Sequence, residues 1–271
     1  MPIRKVITSP HRYPERILGF GEGGSGKSTM VLNMARYMPE SHFWVNDTDV
    51  SFAYDRLLAT EYQDVDSQGN VHILLATEWD EFTANMDKSS TDGKPRERGD
   101  VLVVDNGTFP WKWVQDQHIE QQYGMDYDTF LSNLKQEYAG KSNREYMAAL
   151  ADQMQWGIIN KKFTRGFYRH YHKWASHAII VAQSKEVRKD EQDDEIITQF
   201  KVHGAQPSGQ KELPYVMATN VLFMDRGRDK WAISTTKDRG RPKQFKMDLD
   251  EFALDYLVDI AGWEVSRERV T

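Results

Sequence analysis

The chain has 271 residues, 28% of them charged, with 18 glycines and 9 prolines, which suits one large or two small globular domains and excludes disordered, collagen-like and coiled-coil proteins. The absence of cysteine excludes disulfide frameworks, thiolate zinc sites and cysteine nucleophiles. The net charge of -6, from 35 basic and 41 acidic residues, argues against a protein that coats nucleic acid by bulk charge.

Short apolar segments alternate with longer amphipathic ones, which predicts an α/β fold with a mainly parallel sheet flanked by helices. The predicted strands are 16–20, 42–46, 71–76, 101–105, 177–183, 220–224 and 230–235. The predicted helices are 27–38, 52–60, 79–88, 143–175 and 249–260. Segment 89–99 is predicted as a polar loop, 106–142 as mixed structure and 185–214 as a long charged loop.

The last two strands are predicted to form an antiparallel hairpin at the C-terminal edge of the sheet. The expected organisation is an N-terminal extension over 1–15, one core domain over 16–247, and a C-terminal helix and tail over 248–271. The longest apolar runs are about five to six residues, whereas a membrane helix needs roughly 20. With no secretory signal at the N-terminus either, we expect a cytoplasmic protein.

A phosphate-binding loop follows the first predicted strand of the core. It matches the pattern G-x-x-x-x-G-K-[ST] between a strand and a helix, and its residues are Gly21, Glu22, Gly23, Gly24, Ser25, Gly26, Lys27, Ser28 and Thr29. Glycines let backbone N–H groups turn inward, and the helix N-terminus adds partial positive charge, so the loop cradles phosphates. We expect Lys27 to contact the β- and γ-phosphates, Ser28 to bind Mg²⁺ and Thr29 to reach the α-phosphate.

Four further strand ends carry polar residues that suit phosphoryl chemistry. Asp105 ends an aliphatic strand and fits the Walker B acid that holds Mg²⁺. Asp49 is the first choice for the group that orients the attacking water, Asp47 the second and Glu78 a reserve, although both aspartates could instead cap the following helix. Gln183 could bind the γ-phosphate or the water and pass the nucleotide state to the loop that follows.

A basic turn ends the last predicted strand. The segment 221–247 holds eight Lys or Arg against three Asp, an excess of five positive charges. Within it, Lys237 and Arg239 could reach the γ-phosphate of a neighbouring subunit in a head-to-tail assembly, or could form a solvated basic turn.

This ordered set of motifs resembles the RecA-like ATPase core, most closely the compact phage-encoded RecA-like ATPases of single-strand annealing and recombination. The matching segments are 21–29, 44–49, 101–106, 178–185 and 235–241, which together span 16–245. The resemblance implies a Mg²⁺-dependent ATP hydrolase that binds single-stranded DNA, assembles with itself as a ring or filament, and works in the host cytoplasm if phage-encoded. A single-strand-binding protein is a further partner that it leaves open.

The resemblance also assigns roles. RecA-like proteins have a catalytic glutamate where this chain has Asp49, a γ-phosphate sensor at the position of Gln183, and a Lys-x-Arg pair like Lys237 and Arg239 that crosses subunit interfaces. Loops after the Walker B and sensor strands bind DNA in that family. The shorter side chain of Asp49 is a departure from the pattern.

A basic and aromatic segment offers a second route to DNA. It interleaves Lys161, Lys162, Arg165, Arg169 and Lys173 with Phe163, Phe167, Tyr168, Tyr171 and Trp174. Such a mixture supplies backbone charge and stacking faces for single strands. On a helix, however, it more often forms an apolar core stripe with a solvated basic face.

Three rival functions remain at the level of sequence. A small-molecule P-loop kinase would place a phosphoacceptor near Asp47 and Asp49 and would ignore DNA. A nucleotide switch or scaffold would bind ATP without appreciable turnover, which the missing glutamate permits. A genome-packaging motor is disfavoured because no segment follows that could form its nuclease domain.

Overall fold

A nine-stranded sheet lies at the centre of the part of the chain that the computed structural model describes, which is 3–8, 14–49, 51–91, 99–173, 177–188, 191–227, 231–239, 241 and 246–269. Its strands are β2 (Arg16–Gly21), β3 (Phe43–Asp47), β4 (Val71–Leu75), β5 (Val101–Asp105), β6 (His177–Glu186), β7 (Ala205–Pro207), β8 (Thr219–Asp225), β9 (Trp231–Asp238) and β10 (Lys246–Leu249). A separate two-stranded sheet pairs β1 (Ile3–Thr8) with β11 (Glu264–Arg269).

The strand order in the central sheet is β10-β9-β8-β2-β6-β5-β3-β4, with β7 paired to β6 off this path. The six strands from β8 to β4 in this order are parallel, whereas β9, β10 and β7 pair antiparallel. Because parallel strands end at one edge of a sheet, the segments that follow β2, β3, β5 and β6 meet there, which is where open α/β sheets bind ligands.

The helices are α1 (Lys27–Tyr37), α2 (Ala53–Thr60), α3 (Gln63–Gln68), α4 (Trp79–Thr91), α5 (Thr108–Tyr123), α6 (Tyr127–Glu137), α7 (Asn143–Met154), α8 (Trp156–Phe163), α9 (Arg169–Lys173), α10 (Asp194–Phe200) and α11 (Leu213–Val216). Two π-helical segments, Thr164–Tyr168 and Ala253–Val258, and one 3-10 segment, Lys201–His203, complete the set for the described residues.

The sheet separates two apolar cores. In β5, Val101 and Val103 face the core formed with α1, α2, α3 and the segment Ala253–Val258, while Leu102 and Val104 face the core formed with α4 to α9. Successive strand residues point to opposite faces, so a strand buried on both sides must be apolar throughout. The run Val-Leu-Val-Val in β5 is apolar throughout, as expected for such a strand.

The predicted fold class is confirmed: a mainly parallel sheet flanked by helices, with antiparallel strands at its C-terminal edge. All seven predicted strands are present, each within three residues of the expected bounds. The predicted hairpin corresponds to the antiparallel pair β8 and β9, although residues 228–230 of its turn lie outside the described residues, as do 92–98 of the polar loop before β5.

Two predicted helices were wrong in detail. The segment 143–175 was expected as one helix, but it is broken after α7, where Gln155 has a left-handed φ of 49°, and again by the π-helical segment Thr164–Tyr168. The segment 249–260 was expected as a helix. Instead β10 extends to Leu249, and only Ala253–Val258 is helical.

Segments predicted as loops also contain regular structure. The mixed stretch 106–142 holds α5 and α6, and 185–214 holds α10, β7 and the start of α11. The parallel pairing of β6 with β2 ends at Gln183. Beyond it, β7 pairs antiparallel with the end of β6, with Ser184 opposite Pro207. Over the described residues, no helix has the length and apolar character required to span a bilayer.

Candidate nucleotide site

The phosphate-binding loop connects β2 to α1, at the carboxyl ends of the parallel strands. Gly24 and Gly26 have φ values of 75° and 91°, in the left-handed region that favours glycine. A methyl group at Gly21 would overlap the carbonyl oxygen of Phe223 and lie 2.7 Å from Ser25 Oγ. These glycines therefore let the chain turn tightly between strand and helix.

Bonds within the loop hold its shape. Ser25 Oγ donates to the carbonyl oxygen of Glu22 at 2.8 Å. Lys27 Nζ donates to the same carbonyl at 2.5 Å and to Ser25 Oγ at 3.2 Å. Burial lowers the pKa of Lys27, and the carboxylates of Asp105 and Asp49 oppose that shift. The amine thus lies among oxygen atoms at the centre of the loop, where a phosphate oxygen could replace the carbonyl.

Asp105, the last residue of β5, is joined directly to the phosphate-binding loop. Ser28 Oγ donates to Asp105 Oδ2 at 2.7 Å, and the hydroxyl of Tyr54 donates to the same oxygen at 2.9 Å. Burial raises the pKa of Asp105, while these two hydrogen bonds act in the opposite direction. Burial likewise raises the pKa of Tyr54, so its hydroxyl stays protonated and able to donate.

The end of β3 supplies two further aspartates in different environments. Asp47 is buried opposite Asp105 in the β3–β5 register, and its Oδ1 accepts the N–H of Asp49 at 3.0 Å. Burial, with the nearby negative charge of Asp105 and Asp49, raises the pKa of Asp47 to about 7. Asp49 is only half-buried and borders the open space over the loop. Glu78 is exposed and lies outside that lining.

Gln183 lies beside the loop because β6 pairs with β2. Its register partner is Gly21, and its exposed side chain borders the same space. Its backbone N–H donates to Thr108 Oγ1 at 3.3 Å, and its carbonyl accepts the N–H of Ser208 at 2.7 Å. The residue therefore connects the phosphate-binding edge with the segment that contains β7.

These residues surround one cavity of about 500 Å³. Its lining includes five of the seven predicted catalytic and metal-binding residues, namely Lys27, Ser28, Asp49, Asp105 and Gln183. The phosphate-binding loop also contributes Gly21, Glu22, Gly23 and Gly24 to the lining. The rest of the lining consists of Ser51, Ala53, Asn106 and Ser184. Of the predicted loop residues, Ser25 is buried beneath the cavity and Thr29 borders a small neighbouring cleft.

The donor set suits a magnesium ion bound together with a nucleotide. Mg²⁺ is typically held by one or two protein oxygens and by substrate phosphates, and keeps several of its waters. Ser28 and Asp105 offer one hydroxyl and one carboxylate, already 2.7 Å apart. Among the described residues no group of three or more His, Cys, Asp or Glu side chains could hold a metal by itself. A cation here would depend on the phosphates.

Comparison with known proteins gives a structural likeness and no match in sequence. No protein-family model matches the chain, and no curated protein matches it in sequence. The structure is similar to the crystal structure of the RadB recombinase, with a TM-score of 0.48, 13% sequence identity, and 87% of each chain covered.

Lys237 and Arg239 do not reach the cavity of their own chain. Strand β9 runs antiparallel to β8, so its C-terminal end lies with Thr219, next to Ile17 at the start of β2. Lys237 Nζ donates to the carbonyl oxygens of Pro214 and Tyr215 at 2.7 and 3.2 Å, whereas Arg239 is exposed. The pair therefore lies at the edge of the sheet opposite the phosphate-binding loop.

The aromatic side chains of the basic segment 161–173 belong to the core. Phe163, Phe167, Tyr168 and Tyr171 are each at most 3% exposed, while Lys161, Arg165 and Arg169 are exposed. These rings are not available to stack on bases, so the structure favours the core-stripe interpretation. Trp174 lies outside the described residues.

Two residues that contact the site were missed from the sequence. Tyr54 bonds Asp105 from the first turn of α2, and the indole Nε1 of Trp231 donates to the carbonyl oxygen of Gly24 at 3.3 Å. The Trp231 ring also lies 3.5 Å from the position of a methyl group on Gly26. No sequence spacing indicates either contact, because each joins elements that meet only through the order of strands in the sheet.

Proposed function

We propose that this protein is a Mg²⁺-dependent ATPase with a RecA-like core that acts on single-stranded DNA as a homo-oligomer, in annealing or recombination of the phage type. The observation that carries the proposal is the hydrogen bond between Ser28 and Asp105 beside Lys27. It joins the two motifs that P-loop NTPases use to hold phosphate and metal, although they are far apart in the sequence.

The phosphate-binding loop would hold the β- and γ-phosphates by its backbone N–H groups and by Lys27. Ser28 and Asp105 would hold Mg²⁺, which when bound neutralises charge that develops on the phosphates. Thr29, the next residue of α1, would contact the α-phosphate. The nucleoside would then extend toward the small cleft that Thr29 shares with Trp231.

Asp49 is our candidate for the residue that orients the attacking water. It borders the cavity from the strand next to Asp105, whereas Asp47 is buried and Glu78 lies outside the lining. Its side chain is one methylene shorter than the glutamate of RecA-like proteins. The attacking water would therefore have to lie closer to β3 in this protein.

Gln183 is our candidate for the sensor of the γ-phosphate. Its side chain borders the cavity, and its backbone is bonded to Ser208 in the segment after β6. A hydrogen bond from the amide to the γ-phosphate would shift the end of β6 and, with it, the residues paired through β7. DNA bound by the segment 185–214 would then respond to ATP.

The position of Lys237 and Arg239 supports the proposed oligomer. They lie at the sheet edge opposite the cavity, so they can contact a γ-phosphate only in a neighbouring copy stacked head to tail. A positive group supplied in this way stabilises the transition state of phosphoryl transfer. The excess of positive charge over 221–247 is consistent with an interface that meets an acidic neighbour or DNA.

The test is ATP hydrolysis at fixed Mg²⁺ with and without single-stranded DNA, with Lys27→Ala as the control for contaminating ATPase. We expect turnover that DNA stimulates and that Lys27→Ala lowers by about 100-fold or more. Turnover indifferent to DNA would overturn the DNA function and favour the small-molecule kinase. Nucleotide binding without turnover would favour the switch.

A further inference from the structure

Tyr54 is a buried tyrosine whose hydroxyl ends at the carboxylate of the candidate metal site. It is the second residue of α2, its side chain is 1% exposed, and its ring packs in the core with α1. The hydroxyl lies 2.9 Å from Asp105 Oδ2. The hydroxyl alone distinguishes this side chain from phenylalanine, which would fill the same space in the core without a polar atom at Asp105.

Two hydroxyl groups donate to one oxygen of Asp105. Ser28 Oγ lies at 2.7 Å and Tyr54 OH at 2.9 Å, both from Oδ2, and Oδ1 accepts no hydrogen bond from the described residues. A carboxylate held by one donor can rotate about its bond to Cβ, whereas two donors from different elements restrict that rotation. Oδ1 is thereby left for a ligand.

We propose that Tyr54 is a positioning residue for magnesium, which orients the Asp105 carboxylate through its hydroxyl. The inference rests on the proposed function, because it requires that Ser28 and Asp105 bind the metal of a bound nucleotide. Partners that orient a metal-binding carboxylate contribute about 10- to 100-fold in metal affinity or activity in other proteins.

The position of Tyr54 in the chain gives this contact a second consequence. Tyr54 follows Asp49 by five residues, and Ser51 and Ala53 between them border the cavity. Phe52, the residue before α2, has a left-handed φ of 53°, which is unfavourable for a bulky side chain. The bond from Tyr54 to Asp105 thus fixes the segment that carries Asp49 to the strand that carries the metal ligand.

The experiment is a Mg²⁺ titration of the binding of N-methylanthraniloyl-ATP to the wild type and to Tyr54→Phe, followed by fluorescence. We expect the Mg²⁺ concentration at half-saturation to rise about 10-fold in Tyr54→Phe, with nucleotide binding in EDTA unchanged. Saturating Mg²⁺ should restore most of the ATP turnover. An unshifted Mg²⁺ midpoint in Tyr54→Phe would overturn the inference.

Tyr171→Phe is the matched control. Tyr171 is also fully buried, but its hydroxyl has no hydrogen-bond partner among the described residues. Its ring lies in the core formed with α4 to α9, on the other side of the sheet from Tyr54. Its Mg²⁺ midpoint should equal that of the wild type. An equal shift in both variants would mean that removing any buried hydroxyl loosens the site, and would overturn the specific role of Tyr54.

A double-mutant cycle with Asp105→Asn separates positioning from packing. If Tyr54 acts only through Asp105, Tyr54→Phe should leave the residual Mg²⁺ midpoint of Asp105→Asn unchanged. The same shift in both backgrounds would overturn the inference. A wild type that binds the nucleotide analogue equally well in Mg²⁺ and EDTA would instead overturn the proposed metal site, and this inference with it.

Discussion

Gln183 lies directly beside Gly21, its register partner in the parallel pairing of β6 with β2. The end of β6, which carries this proposed sensor, is therefore adjacent to the first glycine of the phosphate-binding loop. The two backbone bonds of Gln183, to Thr108 and Ser208, do not involve its amide side chain. Because neither bond occupies the amide, the side chain can contact a nucleotide, and the two backbone bonds can pass a shift at the end of β6 to Thr108 and Ser208.

This arrangement predicts that Gln183→Ala uncouples hydrolysis from DNA. ATP binding should be retained, because the phosphate-binding loop is intact, while DNA-stimulated turnover should fall by about 10- to 100-fold. Steady-state rates with and without single-stranded DNA, together with the nucleotide Kd, check both parts. Gln136→Ala, an exposed position on α6, is the control and should behave as the wild type. A Gln183→Ala protein with normal DNA stimulation would contradict the sensor role.

The two glycines Gly21 and Gly23 should differ in their tolerance of a methyl group. A Cβ at Gly21 would overlap the Phe223 carbonyl oxygen, whereas one at Gly23 meets nothing within 4 Å. Gly21→Ala should lower the free energy of unfolding by about 1–3 kcal/mol, because backbone of β8 would have to move. Gly23→Ala should change it by no more than about 0.5 kcal/mol.

Urea denaturation of both variants without nucleotide checks this difference. The comparison isolates the steric effect, because both substitutions add the same methyl group to the same loop. Equal stability of Gly21→Ala and Gly23→Ala would contradict the close approach of β2 and β8 at the loop.

The sequence predicts the local structure around the candidate site well. The loop 21–29 and the strand that ends at Asp105 are each specified by residues adjacent in the chain, and both have the expected structure. Asp49 and Gln183 were predicted to face the same site because parallel strands end at one edge, and the structure does bring them to one cavity.

The contacts that the sequence missed depend on which elements become neighbours. Tyr54 reaches Asp105 only because β3 and β5 are adjacent, and Trp231 reaches Gly24 only because β9 folds back along β8. The pairing of β1 with β11 joins the two ends of the chain, and no periodic pattern specifies such a partner.

The break in the predicted helix 143–175 has a different cause. A single helix was predicted through Gln155, yet that residue takes a left-handed conformation between the end of α7 and the start of α8. The rings of Trp111 and Trp156 then stack at a centroid distance of 6.2 Å. Packing of α8 on α5 thus outweighs the local preference for a continuous helix.

We expect Lys237 and Arg239 to act on the candidate nucleotide site of a neighbouring copy. Their alanine variants should differ from each other in the stability of the single chain. Arg239 is exposed, so Arg239→Ala should fold normally but lose ATP turnover. Lys237 is half-buried and donates to the carbonyls of Pro214 and Tyr215, so Lys237→Ala should also lower the melting temperature.

Mixing Arg239→Ala with Lys27→Ala tests whether the arginine acts between subunits. Each variant alone should be inactive, but in a mixed oligomer an intact loop from one can meet an intact Arg239 from the other. At equal amounts about a quarter of the sites should be complete, which would restore about a quarter of wild-type turnover. No recovery, with mixed oligomers demonstrated by gel filtration or cross-linking, would contradict an interface role.

His177 should make the stability of the fold depend on pH. It is the first residue of β6, its side chain is 4% exposed, and its Nδ1 accepts the N–H of Glu15 at 3.0 Å. Burial, and secondarily the charge of Arg16, lower the pKa of His177 to about 4 from the usual value of 6.5. The folded protein therefore keeps this imidazole neutral under conditions in which the unfolded chain protonates it.

The pKa of His177 is lower in the folded protein than in the unfolded chain. Between about pH 4 and pH 6.5, protons therefore bind preferentially to the unfolded chain. The stability from a neutral His177 is fully present above pH 6.5 and is lost as the pH falls to 4, a total of about 3 kcal/mol. His177→Asn does not titrate in this range, and its Oδ1 can accept the bond from Glu15. Denaturation curves from pH 8 to pH 4 should show the wild type losing about 3 kcal/mol relative to the variant. His177→Asn also loses the ring contact with Trp263, which would lower its free energy of unfolding by the same amount at every pH. A difference in the free energy of unfolding that stays constant with pH would therefore contradict a buried neutral histidine.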